Sequence, residues 1–135
     1  MDLSPFESHR LPALPDLQAP DGSDVRVLLR LAGGSMAHFT LAPGATSRAI
    51  VHRTVEELWY CLSGGGQMWR EQAGHAEIVE LSPGLCLSIP AGTRFQFRCD
   101  SAEPFSAVGV TMPPWPGEDE AVFVDGPWAA TATRT

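Results

Sequence analysis

Lysine is absent from this chain. Its nine positive charges are all arginine (Arg10, Arg26, Arg30, Arg48, Arg53, Arg70, Arg94, Arg98 and Arg134), set against sixteen acidic residues for a net charge of -7. They are scattered and form no basic stripe, and no helix-turn-helix segment is present, so nucleic acid is not an expected partner. Cysteine is scarce: Cys61, Cys86 and Cys99 are an odd number with no C-x-x-C pair. Such residues in apolar strand contexts behave as small hydrophobes, which points to a reducing, intracellular compartment. No stretch approaches the ~20 apolar residues of a membrane span, and the first 24 residues hold no continuous apolar core of signal-peptide length. The expectation is a soluble, cytoplasmic protein with no membrane partner. Apolar spacing at i, i+3, i+4 is not sustained anywhere, so long amphipathic helices are excluded as well.

What is present is a succession of short strands punctuated by turns, at the spacing of a sandwich or barrel. The pattern predicts strands over 25–31, 36–41, 58–62, 67–71, 76–81, 85–89, 94–98 and 105–112, with turns at Gly33-Gly34, Pro43-Gly44, Gly64 to Gly66, Gly74 and Pro90-Ala91-Gly92. At 135 residues one domain is expected, burying about 65–70% of the extended chain's surface. Residues 1–24 read as a proline-rich arm, because Pro5, Pro12, Pro15 and Pro20 rule out a long helix there. Residues 25–112 form the barrel. Residues 113–135 read as an extension packing on the barrel or on a partner: three prolines stop the last barrel strand, Trp115 and Trp128 are large apolar groups among polar neighbours, and residues 121–124 suit a short edge strand. The run Glu118, Asp119, Glu120 reads as a solvated loop.

The stretch from Gly44 to Gly64, GATSRAIVHRTVEELWYCLSG, concentrates the chemistry. His52 and Thr54 are two apart and share one side of an extended backbone; after Val55 and Glu56, a second strand carries Glu57, Trp59 and Cys61 on one face. A hairpin of that form brings an imidazole, a hydroxyl and a carboxylate over an aromatic floor. Alternation in the other strands assigns the walls. Phe95 and Phe97 face in, since a one-residue slip would bury a charge. Val108 and Val110, the larger members of 107–112, form one inward face, and Phe39 and Leu41 point inside, leaving His38 outside. The expected pocket therefore has His52 and Glu57 as catalytic groups and Thr54, Trp59, Phe95, Phe97, Val108 and Val110 as substrate-binding walls.

The same stretch resembles the first motif of the cupins, which runs Gly, five residues, His-x-His, three or four residues, Glu, six residues, Gly. Their second motif, Gly, five residues, Pro-x-Gly, two residues, His, three residues, Asn, is matched by Gly84, LCLSI, Pro90-Ala91-Gly92, Thr93, Arg94, Phe95, three residues and Cys99. The resemblance covers roughly residues 36–112. It implies an all-β, double-stranded β-helix or jelly-roll barrel, and a homodimer using arms such as residues 1–24. Cupins hold a divalent ion with two histidines and the glutamate of the first motif and the histidine of the second. At those positions this chain has His52, Thr54, Glu57 and Phe95. Two ligands are fewer than a divalent ion normally takes, so no metal cofactor is expected; if one binds, His52 and Glu57 hold it.

Burial against Trp59 and Phe95 raises the pKa of Glu57 while a nearby imidazolium lowers it, so the pair is expected to titrate as a unit near neutrality. That suits acid/base steps of isomerase, dehydratase or cyclase type on a small, largely apolar or aromatic molecule. A metal-dependent dioxygenase or isomerase with an incomplete site is one alternative, and a non-catalytic ligand-binding or sensing module another.

Overall fold

The computed structural model describes residues 4–132. Among them the chain alternates between two antiparallel sheets. The strands are β1 (Leu17–Gln18), β2 (Asp24–Leu31), β3 (Gly34–Leu41), β4 (Ile50–His52), β5 (Glu56–Ser63), β6 (Gly66–Gln72), β7 (His75–Leu81), β8 (Cys86–Ile89), β9 (Arg94–Cys99), β10 (Phe105–Met112) and β11 (Ala121–Phe123). One sheet has the order β1-β2-β3-β10-β5-β8 and the other β11-β4-β9-β6-β7. The inner faces meet in one core, with Trp59, Cys61, Leu87 and Ile89 from the first sheet against Met68, Leu81, Phe95 and Phe97 from the second. The all-β barrel expected from strand and turn spacing is therefore present. Among the described residues no helix is long and apolar enough to cross a membrane.

Two local expectations are corrected. The segment around His52 is not one arm of a hairpin with β5: β4 pairs with β9 and β11, whereas β5 pairs with β10 and β8 in the opposite sheet. The backbone amides of Thr54 and Val55 bond the Glu120 carboxylate instead of a facing strand, so the chain crosses between sheets there. In β10 the inward residues are Ala107, Gly109 and Thr111, while Val108 and Val110 are only half-buried and lie on the outer face. Register explains the reversal. Ala107 is opposite Phe39 and Cys61, and Gly109 is opposite Ala37 and Trp59. The Phe39 and Trp59 rings stack with centroids 5.4 Å apart. A Cβ at Gly109 would lie 2.5 Å from Phe39 Cε2, so the small residues must sit beneath the rings and the valines must face out.

His38 lies on the outer face, opposite Val108, yet it is buried. Gln96 also points away from the core, between Phe95 and Phe97, and is buried for a different reason: its amide donates to the carbonyls of Ser47 and Trp128 and accepts from the Trp128 amide. The chain after β11 covers that face, with Val124 bonded to Ala49, and Thr131 and Ala132 both bonded to Thr46. At the other end of the chain, Arg26 reaches the carbonyls of Pro12 and Ala13, holding the segment before β1 against β2.

Candidate functional site

Between the two sheets lies a cavity of about 320 Å³, at the lower end of the range usual for small-molecule sites. The alternation of β4, β5 and β9 delivers His52, Glu57 with Trp59, and Phe95 to its wall; Phe39 comes from β3 and Thr111 from β10. Residues outside the predicted strands complete it: Asp21 from the turn between β1 and β2, and Trp115 after the last barrel strand.

Four of the eight residues expected at the site therefore line the cavity together, His52 and Phe95 from one sheet and Glu57 and Trp59 from the other. The other four are elsewhere. Phe97 is fully buried behind the wall, its ring edge-on to Trp59 at 5.1 Å. Val108 and Val110 are on the opposite face of their strand. Thr54 is exposed, and its hydroxyl donates to the Glu120 carboxylate. Its equivalence to His52 by a spacing of two fails because β4 ends at His52 and the next residues bend away. Glu120, expected on a solvated loop, is itself buried in a 3-10 turn over Glu118–Glu120, accepting hydrogen bonds from Thr54 and Val55.

His52 and Glu57 are each about 95% removed from solvent, with His52 Nδ1 3.5 Å from Glu57 Oε1. Among the described residues Nδ1 has no hydrogen-bond partner. Glu57 Oε2 accepts from Trp59 Nε1. The His52 ring meets Phe95 and Trp115 edge-on at 5.3 and 5.1 Å. Burial pushes the imidazole down to about 4, against a smaller upward pull from Glu120. Burial pushes the Glu57 carboxyl up to about 7; the Trp59 hydrogen bond opposes this and the charge of Asp21 adds to it. The imidazolium invoked from sequence is thus not the resting form. A neutral imidazole faces a carboxyl that titrates near neutrality.

Asp21 was hidden in the proline-rich arm. Its signal is the Asp-Gly-Ser order, in which Oδ1 accepts from both the amide and the hydroxyl of Ser23. Burial raises its pKa despite those two hydrogen bonds. Trp115 had no comparable signal, because a tryptophan among prolines reads equally as a surface or closing residue.

At the positions of the metal-binding motif the structure offers His52 and Glu57, a hydrocarbon ring at Phe95 and a hydroxyl at Thr54 that points to Glu120. Among the described residues no group of three or more His, Cys, Asp or Glu side chains is placed to hold a metal ion. This set does not fit the three or four protein ligands a divalent ion usually takes.

A family model described as "Cupin domain" matches residues 37–111. No curated protein matches the chain. Among solved structures, similarity extends to oxalate oxidase in complex with the substrate analogue glycolate, at 24% identity and a TM-score of 0.68 over 88% of this chain and 63% of that one. It extends also to ectoine synthase from P. lautus, at 21% identity and 0.63 over 84% of each chain. KdgF from Halomonas sp. is similar at 18% identity and 0.64, over 75% of this chain and 88% of that one. Likeness at these identities is a likeness of fold, across proteins of differing name and chemistry.

Proposed function

The chain belongs to the cupin domain family, and from that premise we propose that it binds a small, largely apolar or aromatic molecule inside its barrel and performs metal-independent acid/base chemistry on it. The observation that carries this reading is the cavity itself, in which His52 Nδ1 and Glu57 Oε1 lie 3.5 Å apart among the rings of Trp59, Phe95 and Trp115. Glu57, with its pKa near 7, can give or take a proton at Oε1 under ordinary conditions, and the neutral imidazole beside it can receive one at Nδ1. Trp59 holds the carboxylate in place through Oε2. A proton moved between two positions of one substrate, or added to a leaving hydroxyl, is the chemistry of an isomerase, dehydratase or cyclase.

The test begins with small molecules released from the purified protein by denaturation and identified by mass spectrometry, then returned to fresh protein. The expected result is an apolar or aromatic compound that is retained by wild type, lost from Val27→Trp at the cavity rim, and chemically altered by wild type but not by Glu57→Gln. A compound retained yet unaltered by both would leave a binding module in place of an enzyme. Retention unaffected by Val27→Trp would remove the cavity from the reading altogether.

We also infer self-association through the outer face of the six-stranded sheet. There Val110 lies between Met36 and Leu58, and Val108 between His38 and Tyr60. Met36, Leu58, Tyr60 and Leu62 are all exposed, forming a contiguous apolar patch of the kind that marks an interface.

A further inference from the structure

We propose that the molecule taken up by this cavity carries a positive charge on an apolar body, as an organic ammonium or guanidinium does. This rests on the reading of the cavity as a ligand site and adds the charge of the ligand to it.

Among the described residues two carboxyl groups line the cavity, Asp21 and Glu57, and both are about 95% removed from solvent. They lie close enough for the charge of one to oppose that of the other. Among the described residues no arginine lines the cavity with them. Arg26, on the strand that supplies Val25 and Val27 to the wall, turns away to the carbonyls of Pro12 and Ala13. Buried carboxylates usually have a cationic partner or several donors. Glu57 has one donor, Trp59. His52 Nδ1 is a second buried group on the same cavity: it lies 3.5 Å from Glu57 Oε1 and has no hydrogen-bond partner among the described residues. An organic cation offers positive charge to the two carboxyl groups, and one that bears N–H groups offers donors to these acceptors as well.

The remaining wall fits the same guest. Phe39, Trp59, Phe95 and Trp115 bring four aromatic rings to one small cavity, and the electron-rich faces of such rings attract a cation, most of all where water is excluded. A bare divalent ion would need a cluster of ligating side chains, and the described residues do not supply one. An anionic ligand would face two carboxyl groups and no cationic side chain among the described lining residues.

Calorimetric titration with three probes of similar size tests this: phenyltrimethylammonium, its neutral carbon analogue tert-butylbenzene, and benzoate. Phenyltrimethylammonium is expected to bind wild type at least about tenfold more tightly than tert-butylbenzene, the margin of a desolvated cation–ring contact plus charge attraction. Benzoate is expected not to bind. In Asp21→Asn, whose amide oxygen can still accept from Ser23, the preference should fall while tert-butylbenzene affinity holds, and Glu57→Gln should act in the same direction. Unfolding midpoints of both variants establish that they are folded. Equal affinities for the charged and neutral probes, a preference for benzoate, or a preference unchanged in both variants would overturn the charge inference and leave the cavity reading standing. Displacement of the ammonium by micromolar zinc or manganese would overturn it in favour of a metal. Binding of no probe, or binding indifferent to Val27→Trp, would overturn both.

Discussion

At Glu57 a carboxyl is held where water scarcely reaches it, and its stability consequences have a definite sign. Its ordinary pKa is 4.5 and its folded value about 7, so the folded protein keeps a proton that the unfolded chain releases between those values. The associated stability is fully present below pH 4.5 and is lost as pH rises through about 7. Above that, a buried carboxylate costs on the order of 3 kcal/mol. Glu57→Gln cannot ionise and can still accept from Trp59. Its unfolding free energy relative to wild type is therefore expected to improve from about pH 5 to about pH 8, measured by urea denaturation across that range. A constant difference would mean the wild-type carboxyl is solvated. At this scale the sequence was partly legible. The spacing from Glu57 to Gly64 singled out Glu57 as the candidate acid, and the glycine that anchors it has φ +70° and would set a Cβ 2.4 Å from the Pro104 carbonyl, so only glycine serves there. Val108 and Val110 were misplaced because size was used to choose the inward face, whereas the rings of Phe39 and Trp59 leave room only for Gly109.

Among elements, the decisive one is the segment after β10. It carries Trp115 to the cavity wall and ends in the 3-10 turn from which Glu120 grips the crossing between β4 and β5. Burial alone would raise the Glu120 carboxyl, but the hydrogen bonds from Thr54 and Val55 outweigh it and hold it below its ordinary value. The stabilisation it supplies is thus present above pH 4.5 and lost as pH falls through that lowered value. Glu120→Gln retains one acceptor for several donors and is expected to cost about 1–3 kcal/mol, the usual penalty for charge-assisted bonds left unmade. Equilibrium unfolding at neutral pH measures this, and a loss under about 0.5 kcal/mol would show the grip to be incidental. Alternation and turn residues located the barrel strands to within a residue or two. They could not locate β4, because three residues carry too little periodicity, nor the buried state of Glu120, because its partners are 65 and 66 positions away.

For the molecule as a whole, the outer apolar face of the six-stranded sheet predicts a homodimer. Light scattering at micromolar concentration is expected to give twice the chain mass, falling to one chain in the double variant Leu58→Glu, Tyr60→Glu with its far-ultraviolet circular dichroism unchanged. Both positions are about half exposed in the single chain, so the charges burden only an interface; a variant that remains dimeric would remove this face from consideration. The sequence by itself determined the all-β architecture and the inward set of Trp59, Phe95 and Phe97, and it singled out Glu57 and His52 as a candidate acid and imidazole, since period-two alternation and turn glycines are local properties of the backbone. Only the tertiary structure decided that the acid and imidazole come from opposite sheets, that Thr54 leaves the site, and that Asp21 and Trp115 enter it. Those outcomes depend on contacts between distant segments, where the space left by rings and the partners available to buried polar groups select one arrangement.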